Sequence, residues 1–397
     1  MNKNLVSTQG RKRLTLLCVL AIIAILFATL WPFNPFPPNR VSWLPGADGI
    51  AFRDPGLVVS KTPLQVDAPQ TANAHTLELF VRPASVDSSS TILTFYVPGN
   101  PVQLRVRQWM NTLIVAHDVF DKHRRPIERG IGSRPFHQAE LLLLTIVFTP
   151  GSTSFYVDGK LQQSYPSFVI RPQELSGQII IGNSAVNYAP WAGQIRGMAI
   201  YSKELTAAEV AQHYREWIGR AALKSADLGG LVAYYAFSER TGRIIHNAVS
   251  SGPVLEIPES FAVVHKSMLK SVIQEFGPSW NYVNDVLRNI AGFVPVGFIF
   301  GASFLLTRSR PAAVFCATLA GGALSLVVEV LQFYIPQRSS GLTDVVTNTL
   351  GSALGAVIAR PTLIRVILRR KKEEETFKAK DGGDANVSLR RNTSRAF

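Results

Sequence analysis

Between Ser325 and Gly351 a strongly apolar stretch, SLVVEVLQFYIPQRSSGLTDVVTNTLG, carries Glu329, Gln332, Arg338, Asp344 and Asn348. A second apolar run is entered through Asp285, Arg288 and Asn289. Carboxylates, carboxamides and guanidinium groups set out this way can do two kinds of chemistry. A carboxyl desolvated near a second carboxyl has its pKa raised, which suits proton transfer. The same groups can hold a polar ligand through charge-assisted hydrogen bonds. Glu329 and Gln332 stand three residues apart, so they share one face of a helix. From Glu329 to the end of its run at Ile335 is about two turns, or ~9 Å. A charge at that depth in a bilayer costs roughly 3 kcal/mol or more unless it is paired or hydrated.

The elements that would position these groups are four apolar runs, at 14–31, 286–306, 312–335 and 343–359. The first three are long enough to cross a hydrocarbon core; the fourth is shorter, with Arg360 able to snorkel at its end. The first run follows RKR and precedes WPFNPFPP. A cleaved signal peptide is one reading of it, an uncleaved helix the other. Aromatics and prolines follow it rather than a small-x-small cleavage site, which favours the helix, with Trp31, Phe33, Phe36 and Trp43 near the outer interface.

The formal charge of +14 is placed unevenly. Residues 1–13 carry +4, residues 307–311 carry +2 and the tail 360–397 carries +6, which together make up +12 of the total. A basic face on a folded domain is not expected, and nucleic-acid binding is set aside. Each basic cluster instead flanks an apolar run, as cytosolic flanks do. Four spans then put both termini in the cytosol and leave residues 32–285 and the loop 336–342 outside. The polar side chains converge near the outer leaflet, with Gly297-x-x-x-Gly301 and Gly351-x-x-x-Gly355 allowing close helix packing. Arg338, just past Pro336, can fold back toward Glu329. The group reads either as a structural hydrogen-bond network or as a polar pocket open to the outside. The two cysteines, Cys18 and Cys316, both lie within apolar runs, so neither a disulfide nor a thiolate metal site is expected.

Residues 45–260 read as all-β. VQLRVRQW (102–109) alternates, with Val102, Leu104 and Val106 on one face and Gln103, Arg105 and Arg107 on the other. HTLELFVRP (75–83) alternates less cleanly, which fits burial on both faces, and LLLLTIVFTP (141–150) is continuously apolar like a central strand. Asp158-Gly159 between two strand-like pieces signals a type I′ hairpin. TAAEVAQHYREWI (206–218) is the one helical pattern, with Thr206 and Glu209 forming a capping box. Short strands with turn punctuation predict a two-sheet jelly-roll sandwich. The stretch 258–276, within a connector spanning 258–285, reads as an amphipathic helix lying along the outer interface.

FTPGSTSFYVDGKL, IIIGNS and WAGQIRGMAIYSKELTAAEVAQHY resemble the laminin-G-like branch of the concanavalin A-like lectin fold. LVAYYAFSERTGRIIHNAVSSGPVLEIP (231–258) resembles a segment that usually opens such domains, so here it is expected to pair back beside strands near residue 50. The resemblance implies carbohydrate binding, sometimes with calcium, and in some relatives β-glucan hydrolysis. Those hydrolases use an E-x-D-x-E strand, whose alternation aims three acids into one cleft. The spacing does not occur here, and glycanase activity is not expected. No cofactor is evident. Calcium in the sandwich has no residue support, because Asp87, Asp118 and Asp158 are isolated and Asp158 reads as a turn residue. Trp191 falls where the family buries an aromatic. Trp109, at the end of its alternating strand, is the candidate for stacking on a sugar ring.

NDVLRNIAGFVPVGFIFG (284–301) and the stretch quoted at the outset resemble the VanZ-like membrane family. The resemblance is carried by Asp285 and Asn289, by Pro295 and Gly297 in F-x-P-x-G-F, by Glu329 and Gln332 in E-x-x-Q, and by Arg338. It continues through Asp344, Asn348, Gly351 and Gly355 in D-x-x-x-N-x-x-G-x-x-x-G. It covers Trp280 to Ala359, and the first span is expected to belong with it, so that the sandwich is inserted between spans one and two. The family is associated with resistance to glycopeptide antibiotics such as teicoplanin, which implies a role at the cell envelope rather than a reaction. The expected protein is a bacterial cytoplasmic-membrane protein whose sandwich binds surface glycan and whose bundle engages a lipid-linked cell-wall precursor. Two alternatives stay open. One is an enzyme using Glu329 or Asp344 on a lipid substrate, although the group supplies no evident nucleophile. The other is a permease, which with four spans would have to form a homo-oligomer. The charged tail reads as disordered.

Overall fold

The computed structural model describes residues 8–66, 74–99, 104–120, 126–219, 229–249, 251–277, 279–360 and 362. Val102, Gln103 and the tail from 363 onward lie outside the described residues. The chain forms two compact units, one made of Met1–Asn34 with Ser267–Phe397 and the other of Pro35–Lys266. A long helix, α1 (Thr8–Leu30), opens the first unit.

The second unit is a sandwich of antiparallel strands. Its first half runs β1 (Val41–Trp43), β2 (Ile50–Phe52), β3 (Val58–Ser60), β4 (His75–Pro83), β5 (Ser89–Tyr96), β6 (Leu104–Trp109), β7 (Thr112–Phe120) and β8 (Pro126–Ser133). Then come β9 (Leu142–Phe148), β10 (Ser152–Val157), β11 (Lys160–Pro166), β12 (Gln178–Ile181) and β13 (Gly193–Tyr201). Helix α2 (Ala207–Ile218), β14 (Leu231–Tyr235), β15 (Ile244–Ile245) and β16 (Leu255–Glu256) complete it. One sheet has the order β1-β2-β13-β4-β9-β10-β11, with β14 also on β13; the other is β15-β16-β3-β12-β5-β6-β7-β8.

Side-chain alternation builds the core between the sheets. Leu104, Val106, Leu113 and Val115 point inward from one sheet to meet Leu77, Leu79, Leu144 and Ile146 from the other. Strands β4 and β9 are buried on both faces because α2 covers their outer side with Val210 and Trp217, packed on Phe80, Leu143, Val147 and Tyr201. The capping box that starts α2 is present: Thr206 accepts from the Glu209 N–H and Glu209 from the Thr206 N–H. Asp158 and Gly159 both take positive φ (51° and 78°), as a two-residue hairpin between β10 and β11 requires. The closing segment pairs back on the opening one, with Leu255 opposite Ser60 and Phe261 N–H donating to the Pro37 carbonyl.

The first unit continues through α3 (Val272–Glu275), α4 (Trp280–Phe304), α5 (Arg310–Phe333) and α6 (Leu342–Ile358). The expected amphipathic helix over 258–276 shrinks to α3. Before it, Phe261 and Val263 are buried and Ala262 is exposed, a two-residue period that anchors extended chain against Leu57, Ile180 and Ala185. Helix α4 begins six residues before its expected span, because the Ser279 side chain accepts the Tyr282 N–H and caps it there. Asp285 therefore sits inside the helix together with Arg288 and Asn289. By length and composition, three helices could cross a membrane: Gln9–Leu30, α4 and α5. Helix α6 is shorter and apolar, and much of the outward surface is large apolar side chain, including Leu17, Phe27, Phe315, Leu319, Leu350 and Leu354.

Glycines bring α4 and α6 together. A Cβ on Gly297 would overlap the backbone of Ser352, and one on Gly351 the carbonyl of Ile290. At Gly355 it would strike the Val294 carbonyl, and at Gly301 it would lie 3.0 Å from Ala356 Cα. Such contacts gain dispersion energy that no bulkier residue permits. Pro295 lies within α4, where it removes the N–H that would have met the Ala291 carbonyl.

Candidate functional site

In the sandwich, strands β6, β7 and β8 present an outer face with a clear register. Trp109 stands opposite Thr112, Arg107 opposite Ile114, and Ile114 opposite Gly132. Asp118 stands opposite Glu128, and the Arg105 guanidinium bridges them, at 2.5 Å from Asp118 and 2.7 Å from Glu128. Arg107 adds a second bond to Glu128 at 2.6 Å. Arg105, Arg107, Asp118 and Glu128 thus form one ion-pair network. Beside them lies an open groove of ≈ 720 Å³, lined among others by Trp109, Glu128, Arg134, Gln162, Gln163 and Tyr165. Its floor contains Gly130 and Gly132, and a Cβ on Gly132 would come within 2.9 Å of Leu113 O and of the Thr112 methyl. The Tyr165 hydroxyl donates to the Gly132 carbonyl, which ties β11 to the edge strand β8. Trp109 is 57% exposed. An open aromatic face beside a carboxylate, a guanidinium and two amides offers the apolar platform and directional hydrogen bonds that a polyol needs.

The other sandwich candidates have structural partners. Trp191 is fully buried, and its indole N–H donates to Gln108 Oε1 at 2.8 Å. The Asp158 carboxylate accepts the Leu143 N–H at 2.9 Å; burial raises its pKa and that hydrogen bond opposes the rise. Among the described residues, no three His, Cys, Asp or Glu side chains stand where they could hold a metal ion.

In the helical unit the polar residues separate into two groups. The first is buried. Glu329 is 1% exposed, and its Oε2 accepts the Gly341 N–H at 2.8 Å. Gln332 donates to the Thr29 carbonyl at 3.0 Å, which ties α5 to α1, and Asn348 donates to Ser325 Oγ at 2.9 Å, which ties α6 to α5. Arg338 does not fold back on Glu329. Its guanidinium donates to the Trp31 carbonyl at 2.5 Å, because that carbonyl, just past the end of α1, lacks a helical partner.

The second group lines a cavity of ≈ 400 Å³ between the starts of α4 and α6. Asp285, Arg288, Asn289 and Asp344 all face it. Asn289 Nδ2 donates to Asp344 Oδ1 at 2.7 Å, while Asp285 and Arg288 are 3.9 Å apart on an exposed turn, a weak pair. Other lining residues, among them Lys270, Glu275, Tyr282 and Thr343, escaped the sequence reading. Glu275 accepts the Thr343 N–H at 3.0 Å. Lys270 is held by backbone pairing, its N–H on the Ser340 carbonyl and its carbonyl on the Leu342 N–H. Lys270 and Glu275 follow no apolar run, so nothing in the local pattern marked them.

A further buried carboxylate also went unread. Glu78, in β4, is fully buried beneath α2 and accepts from Trp217 Nε1 at 3.2 Å, Tyr201 OH at 3.4 Å and Thr145 Oγ1 at 3.3 Å. His213 Nδ1 lies 3.2 Å from both of its oxygens. A charged residue inside a strand buried on both faces was the available signal.

Two family models match the chain, one for each kind of unit. Residues 229–367 match the family model for VanZ/LLP1, and residues 60–211 match that of the concanavalin A-like lectin/glucanases superfamily. The chain thus combines a VanZ-like domain with a laminin-G-like one. The VanZ/LLP1 match starts well upstream of Trp280, within residues that fold as the last strands of the sandwich unit. No curated protein sequence matches the chain. Solved structures are similar at low identity. A putative carbohydrate binding protein from Bacteroides ovatus is 15% identical over 52% of this chain and 61% of its own, with a TM-score of 0.34. The binding domain of botulinum neurotoxin serotype G is 16% identical over 46% of each chain, with a TM-score of 0.35. That of serotype D is 13% identical over 45% of this chain and 46% of its own, with a TM-score of 0.31. The chain spans about half the length of these proteins.

Proposed function

We propose that this is a bacterial cell-envelope protein of the cytoplasmic membrane whose sandwich, held outside, binds surface glycan through the groove at Trp109. The observation that carries the reading is that groove: an exposed indole beside Glu128, Arg134, Gln162 and Gln163, over a floor kept flat by glycines. Helices α1, α4, α5 and α6 form a four-helix transmembrane bundle with both termini in the cytosol. The basic residues flanking their cytosolic ends support that orientation. The cavity at the starts of α4 and α6 then opens on the outer side. A contribution to glycopeptide resistance, the association of VanZ-like proteins, belongs to this reading. Acid–base catalysis through Glu329 and Asp344 is the weaker alternative, because Glu329 is engaged by the Gly341 N–H and Asp344 by Asn289.

The test is binding of the detergent-purified full chain to isolated envelope polysaccharide, beside a chain lacking residues 45–260. Loss of binding with the sandwich supports the reading. Binding that survives its removal rejects the glycan half of it.

A further inference from the structure

The cavity at the starts of α4 and α6 has a charge pattern that its structural role leaves unexplained. Three carboxylates line it, from Glu275, Asp285 and Asp344, against two cations, Lys270 and Arg288. Glu275 and Asp344 each have one oxygen engaged, by the Thr343 N–H and by Asn289 Nδ2. Each carboxylate has further acceptor capacity. Thr343 also lines the cavity, and its hydroxyl is buried without a hydrogen-bond partner. A buried hydroxyl left in that state costs about 1–3 kcal/mol, a cost that a polar guest beside it would offset.

The acceptors specify the guest. The acids do not close on a common point where a metal ion could sit, whereas a primary ammonium carries three donors and can reach acceptors spread around a cavity. Lys270 and Arg288 supply a second, opposite feature, a pair of cations suited to a phosphate. Lys270 is anchored by its backbone, and Arg288 meets Asp285 at a weak 3.9 Å. The surroundings supply a third. Ile273, Phe276, Trp280, Val283 and Leu287, on the same segments, are all exposed, as interfacial side chains beside acyl chains would be.

We infer that this cavity binds the zwitterionic headgroup of an amine-bearing phospholipid, with the ammonium on Asp344, Glu275 and the Thr343 hydroxyl and the phosphate on Lys270 and Arg288. The inference rests on the membrane reading above and names the ligand class of its outward pocket.

The test is native mass spectrometry of the full chain in mild detergent, offered equal amounts of phosphatidylethanolamine, phosphatidylcholine and phosphatidylglycerol with matched acyl chains. The trimethylated headgroup keeps the charge and loses the N–H donors; the glycerol headgroup has no amine. Wild type should retain the ethanolamine lipid about tenfold over the others, the worth of one hydrogen bond to a charged group. Asp344→Asn should abolish the preference. Asp285→Asn, on an exposed helical turn where folding is not at stake, removes one of the cavity's three negative charges without removing a direct ligand contact and should weaken the preference severalfold. Equal retention of all three lipids by wild type, or full preference in both variants, overturns the inference. Alkaline extraction of membranes separates the two levels. A chain that is extracted sinks the membrane reading, and one that stays but shows no preference sinks the headgroup site alone.

Discussion

Replacing Trp109 by alanine tests the groove with little collateral damage. The indole is 57% exposed, so its loss takes little from the core, and exposed substitutions of this kind fall within about 0.5 kcal/mol of wild-type stability. A sugar ring laid over one face would cover roughly 80 Å² of the indole, which at about 25 cal/mol per Å² is ~2 kcal/mol. That corresponds to about a thirtyfold rise in Kd. The assay is a glycan array on the full chain to find the best ligand, followed by titration calorimetry on wild type and variant. Trp109→Phe should recover part of the affinity, because a smaller ring still stacks. Gly132→Val should lose binding with Trp109 in place, since the new side chain meets Leu113 O and Thr112 at the floor. Trp191→Ala is the contrasting case. Its indole is fully buried, so the change should cost about 3–5 kcal/mol of stability. Unchanged affinity in both Trp109→Ala and Gly132→Val, with glycan still bound, would refute the placement of the site.

Three further outcomes are expected. His75 is buried with neither ring nitrogen hydrogen-bonded, and burial pushes its pKa down to about 4 from the ordinary 6.5. The unfolded chain takes up the proton first, so stability held above pH 6.5 is lost as the pH falls toward 4, by roughly 3 kcal/mol in all; His75→Leu should flatten that acid limb in a denaturation series, and an unchanged limb would exonerate His75. Gly355→Leu forces a side chain into the Val294 carbonyl and the Phe298 amide, so it should separate α4 from α6 and lower the thermal midpoint in detergent by several degrees. In a Cys18→Ser, Cys316→Ser background, Ser339→Cys should react with a membrane-impermeant maleimide added to intact cells; labelling only after permeabilisation would invert the topology.

The sandwich was legible because its signals are local and periodic. Alternation in β6, the Asp158-Gly159 turn and the Thr206–Glu209 cap each depend on a few neighbouring residues, and each appears as read. Helix starts were harder to place. Hydropathy marks where apolar residues begin, whereas α4 begins at the Ser279 cap and carries polar residues through its first turns. The stretch 258–276 looked helical by composition, but Phe261 and Val263 found a pocket that suits extended chain. Long-range partners were out of reach. Nothing in the spacing of Arg338 says that the Trp31 carbonyl will be nearer than Glu329, nor that Glu275 will meet the Thr343 N–H.

The acid inside an apolar helix has an answer in the start of α6. That helix begins at Gly341, which has no side chain with which to cap its own first N–H groups. Glu329 reaches across from α5 to accept one of them, and Glu275 reaches from α3 to accept another. Both carboxylates then face the positive end of a helix dipole, which offsets part of the cost of their burial. Asp344, in the first turn, adds a third negative charge, more than the half-charge of one helix end can balance. The surplus lies on the cavity side, with Asp285, where solvent or a cationic group can reach it. The two groups should therefore fail differently. Glu329→Leu leaves the Gly341 N–H buried and unpaired, at a cost of about 1–3 kcal/mol, and should loosen α6 itself. Asp285→Asn should leave the helices packed and alter only what the cavity holds. If both variants destabilise the fold equally, the division into a structural group and a ligand group is wrong.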